Sequence, residues 1–67
     1  MTPDNLRSFI NDNHLTIADM GLITGKSDRM VQLWLSGDYP IPLLVKILVK
    51  ALTEKKLTFE WVVAQTP

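Results

Sequence analysis

One short segment of the chain carries the side chains best suited to hydrogen bonding with a partner. Residues 27–37 read SDRMVQLWLSG. At about 100° per residue, a helix over this segment divides its side chains between two opposite arcs. The apolar arc contains Met30, Val31, Trp34 and Leu35, and the other contains Asp28, Arg29, Gln32, Leu33 and Ser36. The planar fork of Arg29 suits a pair of acceptors, and the Gln32 amide both donates and accepts.

Other kinds of chemistry have little support in the sequence. The 67 residues include one histidine, His14, and no cysteine. This composition excludes disulfides, thiolate metal sites and the usual zinc spacings. No acid stands in a recognisable constellation with His14, and every carboxylate has a ready role as a helix cap, a first-turn residue or a surface charge. We therefore expect no enzyme activity, no metal, no cofactor and no small-molecule ligand.

The charge balance limits how the chain could bind a polyanion. Seven Lys and Arg offset seven Asp and Glu, so the net charge is zero. A neutral chain does not coat nucleic acid or membrane by charge alone, although a local basic face remains possible. Lysines interrupt the longest apolar run, and the first residues lack the layout of a secretory signal. We expect a cytoplasmic protein without a membrane partner.

Apolar residues recur at spacings of three and four, which predicts helices and no strand. The predicted helices cover about residues 2–13, 16–24, 27–36, 41–55 and 58–65. Their expected N-caps include Thr2, Thr16, Ser27 and Thr58, and the expected C-terminal stops are Gly25 and Gly37. The short connections predict one domain over residues 1–67, an all-α, compact five-helix bundle.

The second and third predicted helices carry the most specific spacing. Gly21 lies midway along the first of them, Gly25 opens the turn, and Val31 and Trp34 stand three apart on the next helix. A small residue at position 21 lets two helices cross closely. This pattern resembles the helix-turn-helix of the lambda repressor and Cro family over about residues 6–52. A looser likeness exists to short phage repressors encoded beside anti-CRISPR genes.

The resemblance implies a sequence-specific transcriptional repressor of phage or mobile-element origin that binds double-stranded DNA at a palindromic operator. The motif would cover about residues 16–36, and helix 27–36 would enter the major groove. The implied base contacts are Arg29, Gln32, Leu33 and Asp28, and the implied phosphate contacts are Lys26, Ser27, Ser36 and Tyr39. The Arg29 fork matches guanine N7 and O6, and Leu33 suits a thymine methyl.

Each of these residues also has a simpler interpretation. Arg29 could be a solvated surface arginine, Asp28 could serve the dipole at a helix start, and Leu33 could be a single exposed leucine. Tyr39 could cover the core. The whole fold could instead be a protein-interaction module or an antitoxin that binds its partner through Ile17, Leu22 and Leu33.

The last two predicted helices are too apolar for a monomer, and excess apolar surface typically marks an interface. We expect a homodimer through helix 58–65 with a contribution from the fourth helix. The predicted interface residues are Trp61, Val62, Val63, Phe59, Val49 and Val45. On the fourth helix, the residues expected to serve the core are Leu43, Leu44, Ile47, Leu48 and Ala51. Trp61 could instead be a core residue.

Overall fold

The computed structural model describes residues 1–65, and the last two residues of the predicted 1–67 domain lie outside this range. Five α-helices follow one another along the described chain: α1 Pro3–Asp12, α2 Ile17–Thr24, α3 Asp28–Ser36, α4 Leu43–Thr53 and α5 Phe59–Ala64. No strand occurs within residues 1–65. The predicted all-α bundle of five helices is confirmed.

None of these helices is both long enough and apolar enough to cross a membrane, within the residues described.

Hydroxyl side chains cap the N-termini of four of the five helices, as predicted. The side chains of Thr2, Thr16, Ser27 and Thr58 each accept a hydrogen bond from the backbone N–H three residues later, at 3.0–3.1 Å. Such a cap contributes about 1 kcal/mol to stability. At α1 and α2 the cap is reciprocal, because Asn5 and Asp19 accept in return from the backbone N–H of the capping threonine.

The fourth helix is shorter than predicted at both ends. Pro42 precedes it in an extended conformation, with ψ at 150°, so the helix begins only at Leu43. At the other end Lys55 adopts a left-handed conformation with φ at 60°. The Lys56 N–H then turns back and donates to the Ala51 carbonyl at 2.9 Å. This backbone hydrogen bond ends the helix before Lys55.

The core centres on the first three helices. Leu6 of α1, Met20 of α2, and Val31 and Trp34 of α3 are the largest fully buried side chains. The remaining buried core residues are Phe9, Ile10, Ile23, Ile41, Val45, Val49, Leu52 and Val62. The predicted inner faces of the first three helices are therefore confirmed, with Met30 and Leu35 half-buried at the edge.

The predicted faces of α4 are reversed. Val45, Val49 and Leu52 are buried, whereas Leu43, Leu44 and Ile47 are exposed. Both sets form an apolar stripe at helical spacing. At ~100° per residue, the strip that holds Lys46 and Lys50 lies about 110° from the buried stripe and about 90° from the exposed one, a difference too small to decide between them. Tertiary packing decides which stripe is buried.

We expect Trp34→Ala to lower the free energy of unfolding by about 3–5 kcal/mol, because it empties the largest fully buried site. The second tryptophan supplies a matched control: Trp61 is exposed, so Trp61→Ala should cost less than about 1 kcal/mol. Urea unfolding followed by circular dichroism measures both. Native stability in Trp34→Ala would contradict the orientation of α3 described above.

Candidate nucleic-acid interface

The connection between α2 and α3 consists of three residues with distinct tasks. Gly25 takes a left-handed conformation, with φ at 71°, and ends α2. The N–H of Lys26 donates back to the Gly21 carbonyl at 3.0 Å. Ser27 then caps α3 by accepting a hydrogen bond from the Met30 N–H at 3.1 Å. The turn therefore fixes where α3 begins relative to the end of α2.

Gly21 is the point of closest approach between α2 and the start of α3. A Cβ at this position would lie 2.8 Å from the Lys26 carbonyl oxygen and 3.2 Å from the nearer carboxylate oxygen of Asp28. Real Cβ atoms are not found at the shorter distance, so the backbone there tolerates only glycine without a shift. The structure thus confirms the reason that the sequence gives for a small residue at position 21.

Burial of Val31 and Trp34 sets the rotation of α3 about its own axis. Arg29 and Gln32 consequently lie exposed on the opposite face, and Leu33 is half-buried beside them. Within residues 1–65, the side chains of Arg29 and Gln32 form no hydrogen bond or ion pair. Their donors, and the amide acceptor of Gln32, are available to an external partner. We call the exposed surface of Arg29, Gln32 and Leu33 the α3 face.

Asp28 belongs to the helix junction rather than to the centre of the α3 face. Its carboxylate is the group that stands 3.2 Å from the Cβ position at Gly21, so it is directed toward α2. It also lies in the first turn of α3, where a negative charge stabilises the helix dipole. This position agrees with the simpler interpretation of Asp28. Its contact with a base stays a prediction, and one that the orientation does not favour.

The four predicted phosphate contacts separate into two pairs. Lys26 and Ser27 are exposed together at the N-terminal end of α3. Ser27 uses its oxygen as the helix cap and keeps its hydroxyl proton for another acceptor. Ser36 and Tyr39 are also exposed, but they lie at or beyond the C-terminal end of the helix. The structure therefore does not bring all four residues together.

The hydroxyl of Ser36 is already occupied. It lies 3.0 Å from the Leu33 carbonyl and 2.9 Å from a carboxylate oxygen of Asp38, and it has one proton to donate to either. A neighbouring carboxylate repels a phosphate. Ser36 is therefore poorly placed for the predicted phosphate contact.

The two ends of α3 also differ in formal charge. Residues 26–29 contain Lys26, Asp28 and Arg29, a local balance of +1 (2 − 1), whereas residues 36–39 contain only Asp38, a balance of −1. The partial positive charge of the helix N-terminus adds to the first end. An anionic ligand would accordingly be favoured at the N-terminal end of α3.

Arg7 supports α3 from α1, through a contact that no local pattern of residues indicates. Its guanidinium Nη2 donates to the Leu35 carbonyl at 3.1 Å, from α1 to the last turn of α3. Carbonyls in a last helical turn lack partners within the helix, and a positive charge there suits the dipole. The two residues stand 28 positions apart. We regard Arg7 as a positioning residue.

The predicted dimer interface requires correction. Val45, Val49 and Val62 are buried within the single chain, so they cannot contact a second chain without opening the core. Phe59 is half-buried, and its ring centroid lies 6.2 Å from that of Phe9. Of the six predicted residues, Trp61 and Val63 remain exposed.

The surface suggested for a protein partner is also less continuous than predicted. Ile17 is half-buried against the core, and Leu33 is half-buried on α3. Leu22 is the exposed member of the three.

Comparisons with protein-family models, with curated proteins and with solved structures find no match to this chain.

We expect Gly21→Ala to destabilise the protein by about 1–3 kcal/mol, because the new methyl group meets the Lys26 carbonyl. The sign of this change in stability separates the two possibilities, because alanine in place of glycine stabilises an unobstructed helix by about 0.5–1 kcal/mol. Thermal unfolding measures the change. A more stable Gly21→Ala variant would contradict the close contact between α2 and α3.

Gly25→Ala provides the comparison for Gly21→Ala. Nothing lies within 4 Å of a Cβ at Gly25, but its φ of 71° is unfavourable for alanine. We expect a cost of about 1–2 kcal/mol from backbone strain alone.

Proposed function

We propose that this chain is a sequence-specific DNA-binding protein that represses transcription in the cytoplasm of its host, and that it belongs with phage or mobile-element regulators. It would act as a homodimer on a palindromic operator by covering a promoter. The observation that carries the proposal is the exposed, unpartnered pair Arg29 and Gln32 on a helix whose position and rotation are both fixed. No cofactor or small-molecule ligand is needed for this activity.

The dimensions of α3 suit the major groove of DNA. A helix with its side chains is about 10–12 Å across, and the major groove is about 12 Å wide. The nine residues of α3 extend for about 13 Å at ~1.5 Å per residue. The N-terminal half, which carries Arg29 and Gln32, would point toward the base edges, as in other helix-turn-helix proteins.

The chemistry of the α3 face fits the base edges presented in that groove. Two guanidinium N–H groups of Arg29 would donate to guanine N7 and O6. The amide of Gln32 would donate to adenine N7 and accept from its N6 amino group. The half-buried side chain of Leu33 would offer a methyl contact to thymine.

Phosphate contacts at the N-terminal end of α3 would hold this helix in register. Lys26 supplies a charge, Ser27 supplies a hydroxyl proton, and the first N–H groups of a helix attract anions. Lys26 and Arg29 are the two cations in this region, so one chain would bind DNA weakly. Two linked chains gain from effective concentration, which is the energetic reason for a dimer.

A protein-interaction module or antitoxin is the second candidate function. The supporting observation is that exposed Leu22 lines a groove of about 300 Å³ together with Trp61 and Leu48. Titration of random-sequence duplex DNA at low and moderate salt separates the two functions. A DNA-binding protein should bind weakly with a clear salt dependence, whereas a pure interaction module should not bind at all.

We expect Arg29→Ala to weaken specific binding by about 1–3 kcal/mol and to relax the preference at one base pair in each half-site. Arg29→Lys is the matched control, because lysine keeps the charge but loses the planar fork. It should recover affinity for random DNA but not the base preference. Fluorescence anisotropy on a selected duplex and on a random duplex measures both variants.

Two other results would change the role of Arg29. Equal losses on the selected and random duplexes would make it a phosphate contact. Unchanged binding on both would remove it from the interface.

A further inference from the structure

We propose that a second copy of this chain docks on the exposed face of α4, with Ile47 at the two-fold axis. We define the α4 stripe as Leu43, Leu44, Ile47 and Ala51. The inference rests on the proposed dimeric function and names the surface that pairs the two chains. It replaces α5 with α4 as the main contact.

The α4 stripe is the most exposed apolar surface of the described chain. Leu43, Leu44 and Ile47 are 69%, 78% and 53% exposed, respectively. Leu43 and Leu44 lie in the first turn of α4, and Ile47 lies one turn later. Single exposed leucines are common on protein surfaces, but a continuous stripe of them is a mark of an interface. Its burial would remove from water the two most exposed large apolar side chains of the described chain, Leu43 and Leu44.

The α4 stripe is complementary to itself. Its N-terminal end projects two leucines, Leu43 and Leu44. Its C-terminal end forms a shallow hollow of about 210 Å³, lined by Ile47, Lys50, Ala51, Glu54 and Lys56. The small side chain of Ala51 leaves this space open. The hollow is several times the ~30 Å³ that one water molecule occupies in the liquid, so it has room for the four carbons of a leucine side chain.

Ile47 lies midway between the projecting and the hollow ends. Leu44 and Ala51 are seven residues apart on α4, or about 10 Å along the helix. In a two-fold pair, each contact of residue i with residue j is made twice. Antiparallel α4 helices would therefore place each Leu44 in the hollow of the other copy and bring the two Ile47 side chains together at the axis.

The charges around the hollow are compatible with this contact. Glu54 pairs with Lys50 and with Lys56, each at 3.9 Å, within its own chain. The side chains of both lysines are largely exposed. A leucine could enter the hollow while these charges stay in water, which gives the apolar centre and polar rim usual for interfaces.

A second copy is the occupant that best fits these observations. The projecting leucines and the hollow that could receive them belong to the same helix, so two identical copies of this surface fit each other. The chain has zero net charge, so two copies do not repel each other overall. A 67-residue chain also buries only about 60% of the surface it exposes when unfolded, and pairing is a common way to bury more.

Cysteine cross-linking tests the position of the axis. The chain has no cysteine, so one introduced thiol reports on one site. Ile47→Cys and Trp61→Cys are matched, because the two positions are 53% and 55% exposed. A disulfide requires the two Cα atoms to approach within about 7 Å. Under mild oxidation at micromolar concentration, Ile47→Cys should form a covalent dimer at least ten times faster than Trp61→Cys.

Equal cross-linking rates would overturn the proposal, and a faster rate for Trp61→Cys would return the interface to α5. Circular dichroism of the reduced variants confirms that both are helical.

Sedimentation of Leu44→Lys and Leu22→Lys tests the contact independently. Both substitutions place an ammonium group on an exposed leucine position, but Leu22 lies on α2 and is not part of the α4 stripe. Leu44→Lys should be a helical monomer, because its charge would enter a hollow already lined by Lys50 and Lys56 of the other copy, whose acid Glu54 is paired with both. Leu22→Lys should remain a dimer like the wild type. A dimeric Leu44→Lys, or a monomeric wild type at high concentration, would overturn the proposal.

Neither experiment contains DNA. A dimer paired through α4 that binds no DNA would refute the proposed function and leave the interface standing.

Discussion

The close contact between Gly21 and the Lys26 carbonyl is the constraint on which the rest of the candidate site depends. At 2.8 Å from a Cβ position, it leaves no space for a side chain between α2 and the start of α3. The left-handed Gly25 and the Ser27 cap complete the same turn. Together they fix the origin of α3, which no single packing contact farther along the helix could do.

Two further interactions fix the orientation of α3 from this starting point. Burial of Trp34 and Val31 sets the rotation of α3, and the Arg7 hydrogen bond holds its last turn against α1. The α3 face is thus carried by a helix anchored at its start, along its inner side and at its end. Hydrogen bonds to base edges require positioning within a fraction of an ångström, and this support is what the proposed reading by Arg29 and Gln32 needs.

The parts that could be predicted from the sequence depend on local chemistry. Thr16, Ser27, Gly25 and Gly37 perform the predicted capping because a cap needs only neighbouring residues. The inner face of α3 was also predictable, because polar residues mark its opposite side. The faces of α4 were not, since its lysine strip lies at roughly a right angle to both apolar stripes. The Arg7–Leu35 bond and the direction of the Asp28 carboxylate arise from tertiary contacts and leave no local signal.

Selection of bound duplexes from a random DNA pool, with the full chain at low salt, tests the central claim most directly. A two-fold dimer that reads bases with two α3 helices should enrich a palindrome. Its half-sites should be about 10 base pairs apart, or a multiple of this, with a guanine at equivalent positions in each. A final pool with no consensus, equal in composition to the starting pool, would contradict the account.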